Sequence, residues 1–481
     1  MTNVPSGHSP DPRAADLPAR LLEGGLALLM VLAPLPFGAV GPTGQLGLEI
    51  GALLLGLIWL GRAVTRPTLL PGPIACAGLV GLLLLAGLQG APLGEWVVGT
   101  VSPMSLKIRA KSLPDPEARS AEERLLGMDP VSLDAPASLS VDRNRTASTA
   151  RLGAALAVLL LVATTVAGIC GVRRLVLALA ISASFQGLYG LTVLISGFDQ
   201  IWHLPKKANL DAATGTYVNP NHFACFLAMS LACGTALILD RARRLPRHAR
   251  GPWLGRMLGA EGSRTLILAL LLVAGLAGLL TSFSRAGIAL GVLAVTGTIL
   301  ASRVLRSWRS RAMVVLLVVV AAAIPLLQIG GERLVERYAH TSQAISEPGA
   351  RGVVWIDTLE IAAAFPIAGS GFGTFSEIYP LFRSPEVRKR YRHAHNDLLQ
   401  AVAEGGLVGT LFLVLLLAPI LRGIGTGLAG RKGILGIGVA AGLSAMLLHA
   451  LIDFNFHIPA NAATASVLAG AILGLSCIDR S

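Results

Sequence analysis

The stretch 152–168, LGAALAVLLLVATTVAG, contains no ionisable side chain and is followed by the pair Arg173-Arg174. A helix wound through it is apolar on every face, so it has no polar side to offer water. Its length suits a bilayer core, which takes about 20 residues per crossing. Similar runs lie on either side, near 21–40, 46–61, 73–90, 174–196, 219–239, 264–282, 286–302, 312–330, 398–421, 433–452 and 461–477. Together they predict an all-α polytopic membrane protein with about twelve spans. Their high Gly and Ala content suits close helix packing in lipid.

The composition agrees. Hydrophobic residues make up 53% of the 481-residue chain and charged residues only 14%, with a mean hydropathy of +0.67, which is too apolar for a water-soluble globular protein. The formal net charge of +13 is compatible with nucleic acid or with an anionic membrane, and the apolarity selects the membrane. The five cysteines lie in or beside apolar runs without CxxC spacing, so neither a disulfide framework nor a zinc site is indicated.

Short loops set the expected orientation. Arg62/Arg66, Arg173/Arg174, the run 241–264, the run 303–311 and Arg422/Arg431/Lys432 alternate with connections almost free of Lys and Arg, which predicts cytoplasmic loops and cytoplasmic termini. The chain then divides into a tail at 1–20, spans 1–3 at 21–90, an outward loop at 91–150, spans 4–9 at 151–330, a large outward loop at 331–397 and spans 10–12 at 398–481. The loop 91–150 is polar and Pro-punctuated and says little about function. In 331–397 the apolar positions Ile356, Leu359 and Ala363 fall at helical spacing between Asp357 and Glu360, which predicts a short helix near the membrane surface. Gly369-Ser370-Gly371-Phe372-Gly373 breaks it as a flexible turn. Further on, Arg383, Arg388, Lys389, Arg390 and Arg392 face one acid, Glu386. This is either a solvated loop or an anion site.

His395 heads the tenth span in His393-Ala394-His395-Asn396-Asp397. Histidine titrates near neutral pH and takes a proton from a hydroxyl as a general base, although an interfacial histidine that only caps a helix reads the same way. Arg285, in the tight connection 281–287, and Arg351, at the start of the surface helix, offer forked donors suited to phosphate, or snorkel at the interface. A histidine and two arginines on one face point to an enzyme acting on an anionic, lipid-linked substrate. The sequence has no Asp-x-Asp, no HExxH and no other metal-ligand spacing, which favours a mechanism without metal or other cofactor.

These residues resemble the O-antigen ligase and polymerase family of bacterial inner-membrane glycosyltransferases. The resemblance rests on His395-Asn396, a nine-residue gap, then Gly406 and Gly409, with support from Tyr217-Val218-Asn219-Pro220-Asn221-His222, from Ser284-Arg285-Ala286-Gly287, and from Arg351…Trp355 followed by Pro366 and Gly371-Phe372-Gly373-Thr374-Phe375. It covers about 210–410, and a less specific pattern, His449…Asp453-Phe454-Asn455…Asn461, resembles members from polysaccharide export clusters. The resemblance implies a glycosyltransferase C type membrane fold with a periplasmic site. The donor would be a glycan on undecaprenyl diphosphate, transferred with inversion and without metal to a hydroxyl of another glycan or of lipid A–core.

By position, Arg285 and Arg351 would hold the diphosphate and His395 would act on the acceptor hydroxyl. Arg383, Arg388, Arg390, Arg392, His393, Asn396, Asn219 and Asn221 are candidate substrate contacts. Ligase and polymerase share donor and leaving group, so both stay open; loop 91–150 and the Asp453–Asn461 pattern favour a polymerase. Membrane lipids are expected partners, a chain-length regulator or export complex is a further candidate partner, and nucleic acid is not. The rival classes are a secondary transporter, against which no internal repeat is seen between the halves, and a non-catalytic scaffold of an export complex.

Overall fold

The computed structural model describes residues 16–112, 137–244, 260–304 and 351–478. Its described residues form fifteen α-helices and one two-stranded hairpin. Ten of the helices are long and apolar enough to cross a membrane, so the chain is an all-α, multi-pass membrane protein. The span expected at 312–330 and the loop 331–350 lie outside the described residues.

The membrane helices are α2 (Pro42–Thr65), α3 (Pro73–Gly90), α6 (Arg143–Ile169), α7 (Arg173–Ser196), α8 (Pro220–Arg244), α9 (Ala260–Thr281), α10 (Arg285–Ser302), α13 (Asp397–Leu428), α14 (Gly433–Ala450) and α15 (Pro459–Ile478). α1 (Leu17–Leu32) precedes them, α4 (Glu95–Val101) and α5 (Pro103–Ser112) follow α3, and α11 (Arg351–Ala364) and α12 (Phe375–Phe382) precede α13. Strands β1 (Gln200–Ile201) and β2 (Leu204–Pro205) pair antiparallel in the loop after α7.

Two boundaries differ from the sequence reading. The first apolar run, expected as one span over 21–40, is helical only to Leu32; Pro34 and Pro36 cannot continue the ladder, and the chain turns through a 3₁₀ segment at Phe37–Ala39. α6 begins at Arg143, well before the apolar run at 152, because Asp142 caps it by accepting from Asn144 N and Arg145 N at 2.9 and 3.0 Å. The first two turns of that helix therefore stand in what reads as loop.

Small residues let the helices close on one another. α15 lies on α6, and a Cβ added at Gly470 or Gly474 would collide with the carbonyls of Leu160 or Thr164. α8 is enclosed by α7, α9, α10 and α14 and is the most buried of the spans. It also fixes the two ends of the bundle. At its C-terminal end Asp240 pairs with Arg173; there too Glu23 pairs with Arg174, and Asp16 with Arg62 at 2.8 Å. At its N-terminal end α8 meets the start of α13, the end of α14 and the start of α15, and the candidate site residues gather there.

Candidate functional site

The sequence alternates long apolar helices with short polar caps, so polar side chains concentrate where helices end. α13 begins with Asn396 as its cap, whose Oδ1 accepts from Leu399 N at 3.0 Å. The preceding residue, His395, sits at φ +53°, a left-handed conformation that a β-substituted residue holds only when its surroundings enforce it. The turn aims the His395 ring at the loop after α14. There Nδ1–H donates to Asp453 Oδ1 at 3.0 Å. No described residue engages Nε2, and the side chain is 21% exposed while that of Asp453 is 1% exposed.

The buried carboxylate is satisfied from three further sides. Asn221 Nδ2 donates to Oδ2 at 2.8 Å, Phe454 N donates to Oδ1 at 3.0 Å, and Arg351 Nη2 stands 3.7 Å from Oδ2. Arg351 is anchored by a second bond, from Nη1 to Ile452 O at 2.7 Å, yet its side chain remains 45% exposed. Burial works to raise the Asp453 carboxyl, but the hydrogen bond from His395 and the charge of Arg351 hold it well below the ordinary carboxylate range. The couple is thus an imidazole with its Nδ1 proton fixed on an anion and its Nε2 open, the arrangement of a general base.

Phe454 forms the floor. Its ring lies 4.7 Å from His395 and 4.6 Å from His222, both edge-on, and stacks on His393 at 4.4 Å. Burial among neighbouring histidines pushes the His393 imidazole far down, so this ring stays neutral. Five of the nine histidines in the chain, His222, His393, His395, His449 and His457, collect around this one loop.

Behind His395 the glycine-rich turn is pinned to α13. Glu404, buried inside the span, accepts from Gly373 N at 2.8 Å and from Phe375 N at 3.0 Å. Gln89 donates to the carbonyls of Ala368 and Glu404 and accepts from Phe372 N. Gly369 and Gly406 meet backbone to backbone, both at positive φ, where a Cβ on either would strike the other strand of chain. The turn expected to be flexible is a fixed junction between α3, α11, α12 and α13.

The structure brings together His395, Arg351, His393 and Asn221 of the residues singled out in the sequence. Arg285 starts α10 at the same end of the bundle, since Gly287 packs on Ala224, one turn along α8 from Asn221. Arg383, Arg388, Arg390 and Arg392 are exposed on the loop leading into His393. Asn396 Oδ1 is used in a cap and Asn221 Nδ2 in the Asp453 bond, and Asn219 Oδ1 accepts from Asn221 N at 2.9 Å. The sequence reading missed Asp453 as the partner of His395, along with Gln400, His457 and Asp397. The clustering of histidines at four helix ends was the available signal.

A multi-pass helical membrane protein with a histidine–carboxylate couple flanked by arginine at one end of the bundle defines the class. Residues 267–414 match the family described as O-antigen ligase. This match, over less than a third of the chain, supports the resemblance read from the sequence. The matched stretch contains His395, Arg285, Arg351 and the glycine turn, whereas Asn221 and Asp453 come from outside it. No curated protein matches the chain.

Proposed function

We propose that the protein transfers a glycan from undecaprenyl diphosphate to an acceptor hydroxyl at the periplasmic face of the bacterial inner membrane, acting as an O-antigen or exopolysaccharide polymerase or as an O-antigen ligase. The observation that carries this reading is the His395–Asp453 couple with Arg351 on the same carboxylate. The acceptor hydroxyl gives its proton to His395 Nε2 as its oxygen attacks the anomeric carbon. The bond from that carbon to the diphosphate breaks with inversion, and the lipid diphosphate leaves with the electron pair. Arg351 and Arg285 meet the charge that develops on it with forked guanidinium donors. Asp453 holds the neutral ring in the tautomer with its proton on Nδ1, which leaves Nε2 as the acceptor, and balances the imidazolium afterwards.

The exposed cations Arg383, Arg388, Arg390 and Arg392 raise the local concentration of an anionic donor. The decisive experiment gives purified protein a synthetic undecaprenyl-diphosphate oligosaccharide, in EDTA, with either more donor or lipid A–core as acceptor. A ladder from donor alone marks a polymerase and a shift of lipid A–core marks a ligase. No product with either acceptor, from folded protein, sinks the proposal and returns the transporter and scaffold readings.

A further inference from the structure

The left-handed backbone at His395 needs an external hold, and the structure supplies one from a residue with no part in the chemistry above. Ala394, fully buried, is gripped on both sides of its peptide unit: its N–H donates to Gln400 Oε1 at 3.0 Å and its carbonyl accepts from Trp355 Nε1 at 3.0 Å. Because Ala394 N–H requires an acceptor, the Gln400 amide can face only one way, with Nε2 turned to the other side. There Nε2 donates to Glu404 Oε1 at 3.0 Å and to His457 Nε2, also at 3.0 Å. An imidazole that accepts at Nε2 must carry its proton at Nδ1, and His457 Nδ1 does donate, to Asp397 Oδ1 at 2.7 Å. Asp397 Oδ2 accepts from Phe456 N at 2.9 Å. Each link in the chain Asp397, His457, Gln400, Ala394 thus joins a donor to an acceptor.

We propose that Gln400 is the positioning residue for His395, with the His457–Asp397 couple setting the direction of its amide. The assignment rests on the reading above that His395 is the base. It accounts for a second buried histidine–carboxylate couple, which has no open nitrogen to offer a substrate.

The couple also makes the hold conditional. Burial disfavours charge on His457, but the hydrogen bond to Asp397 and the carboxylate of Glu404 raise its proton affinity above the ordinary imidazole value. The charged and titratable groups facing the ring are Asp397 and Glu404 from α13, His393, 4.5 Å away across the loop, and His222 of α8. A second proton on His457 would set its Nε2–H against the Gln400 amide hydrogens. Relieving that clash turns the amide and takes the acceptor away from Ala394 N–H.

The test uses full-length protein in nanodiscs with two variants, Gln400→Leu and Gln400→Glu, the second of which keeps an oxygen for Ala394 N–H and, sharing a proton with Glu404 on its other side, a donor in place of the amide. Amide exchange over 393–397 and steady-state transfer are both measured. Gln400→Leu is expected to speed exchange in that peptide by about tenfold and to lower kcat by about ten- to a hundredfold, with the donor KM within about twofold of wild type. Gln400→Glu is expected to bring both back to within about fivefold of wild type. Unchanged exchange and kcat in Gln400→Leu would overturn the assignment, as would equal losses in both variants with a matching fall in Tm. If wild type transfers no glycan at all, the proposed function fails, and the exchange measurement alone still decides whether Gln400 holds the loop.

Discussion

Asn221 donates from Nδ2 to Oδ2 of Asp453 at 2.8 Å, so the carboxylate that faces His395 with one oxygen is held from the start of α8 by the other. The two residues are separated by 232 positions in the chain. The bond ties the orientation of the candidate base to the most buried helix of the bundle. Replacing Asn221 by Leu keeps the volume and removes the donor, leaving Arg351 at 3.7 Å as the remaining side-chain partner of Oδ2. The expected result is a fall in kcat of about tenfold with little change in the donor KM, measured in the transfer assay. A rise in KM at constant kcat would instead mean that Asn221 contacts substrate.

Asp453→Asn tests the sense of the couple. An amide nitrogen directed at His395 Nδ1 favours the tautomer with its proton on Nε2, which cannot accept from a hydroxyl. Transfer should drop by roughly a hundredfold to ten-thousandfold, about as far as in His395→Ala, and the double variant should be no worse than either alone because the two act as a unit. Additive losses would separate their roles.

The spans were legible in the sequence because a lipid-facing helix must be apolar along its length, and runs such as 152–168 contain little else. The ends were less so. Ala33-Pro34-Leu35-Pro36 is as apolar as the helix it stops, and the early turns of α6 carry Arg143 and Arg145 where a membrane reading expects the span to have ended. In the site, His395 and the two arginines stood out because charge at a helix end is costly and local spacing displays it. Asp453 could be seen as a buried charge but not as the partner of His395, 58 positions away, since pairing at that distance is set by how α13 and α14 pack and leaves no local pattern. Glu404, a charge inside a span, is explained by two backbone N–H groups of the glycine turn that need an acceptor there.

Gly406 tests that junction. It sits inside α13 at φ +61° and ψ −161°, a region open to glycine alone, and a Cβ there would lie 2.5 Å from both Gly369 N and Ile367 O. Gly406→Ala should therefore cost about 3 kcal/mol or more, through backbone strain and through separation of α13 from the turn. The check is the yield of monodisperse protein and its Tm in detergent. A Tm within about 2 °C of wild type would show that α13 straightens without loss, against the picture of a fixed junction.

The lowered proton affinity of Asp453 has a definite sign in stability. A carboxyl whose folded-state pKa lies below its unfolded value, about 3.9, contributes stability that is complete above that value and is lost as pH falls through the folded one. The Tm difference between wild type and Asp453→Asn is therefore expected to hold steady as pH falls from 7 to about 5 and to close only below about pH 4. Closure between pH 7 and 5 would mean that the couple is held together by a proton on His395 rather than by the anion.

The orientation of the site can be read by labelling, because the two ends of the bundle carry exposed residues suited to it. Glu386 lies in the exposed cationic loop before His393, and Arg431 lies in the short turn between α13 and α14 at the opposite end. The proposed transfer takes place at the periplasmic face, which would put Glu386 outside and Arg431 inside. With the three partly exposed native cysteines, Cys76, Cys170 and Cys477, replaced by Ser, Glu386→Cys should react with a membrane-impermeant maleimide in cells whose outer membrane is permeabilised. Arg431→Cys should react only after lysis. The alternation of Arg-rich and Arg-poor turns and the position of the base make the same demand on the topology, so the reverse pattern would remove both the orientation and the glycan-transfer reading in one result.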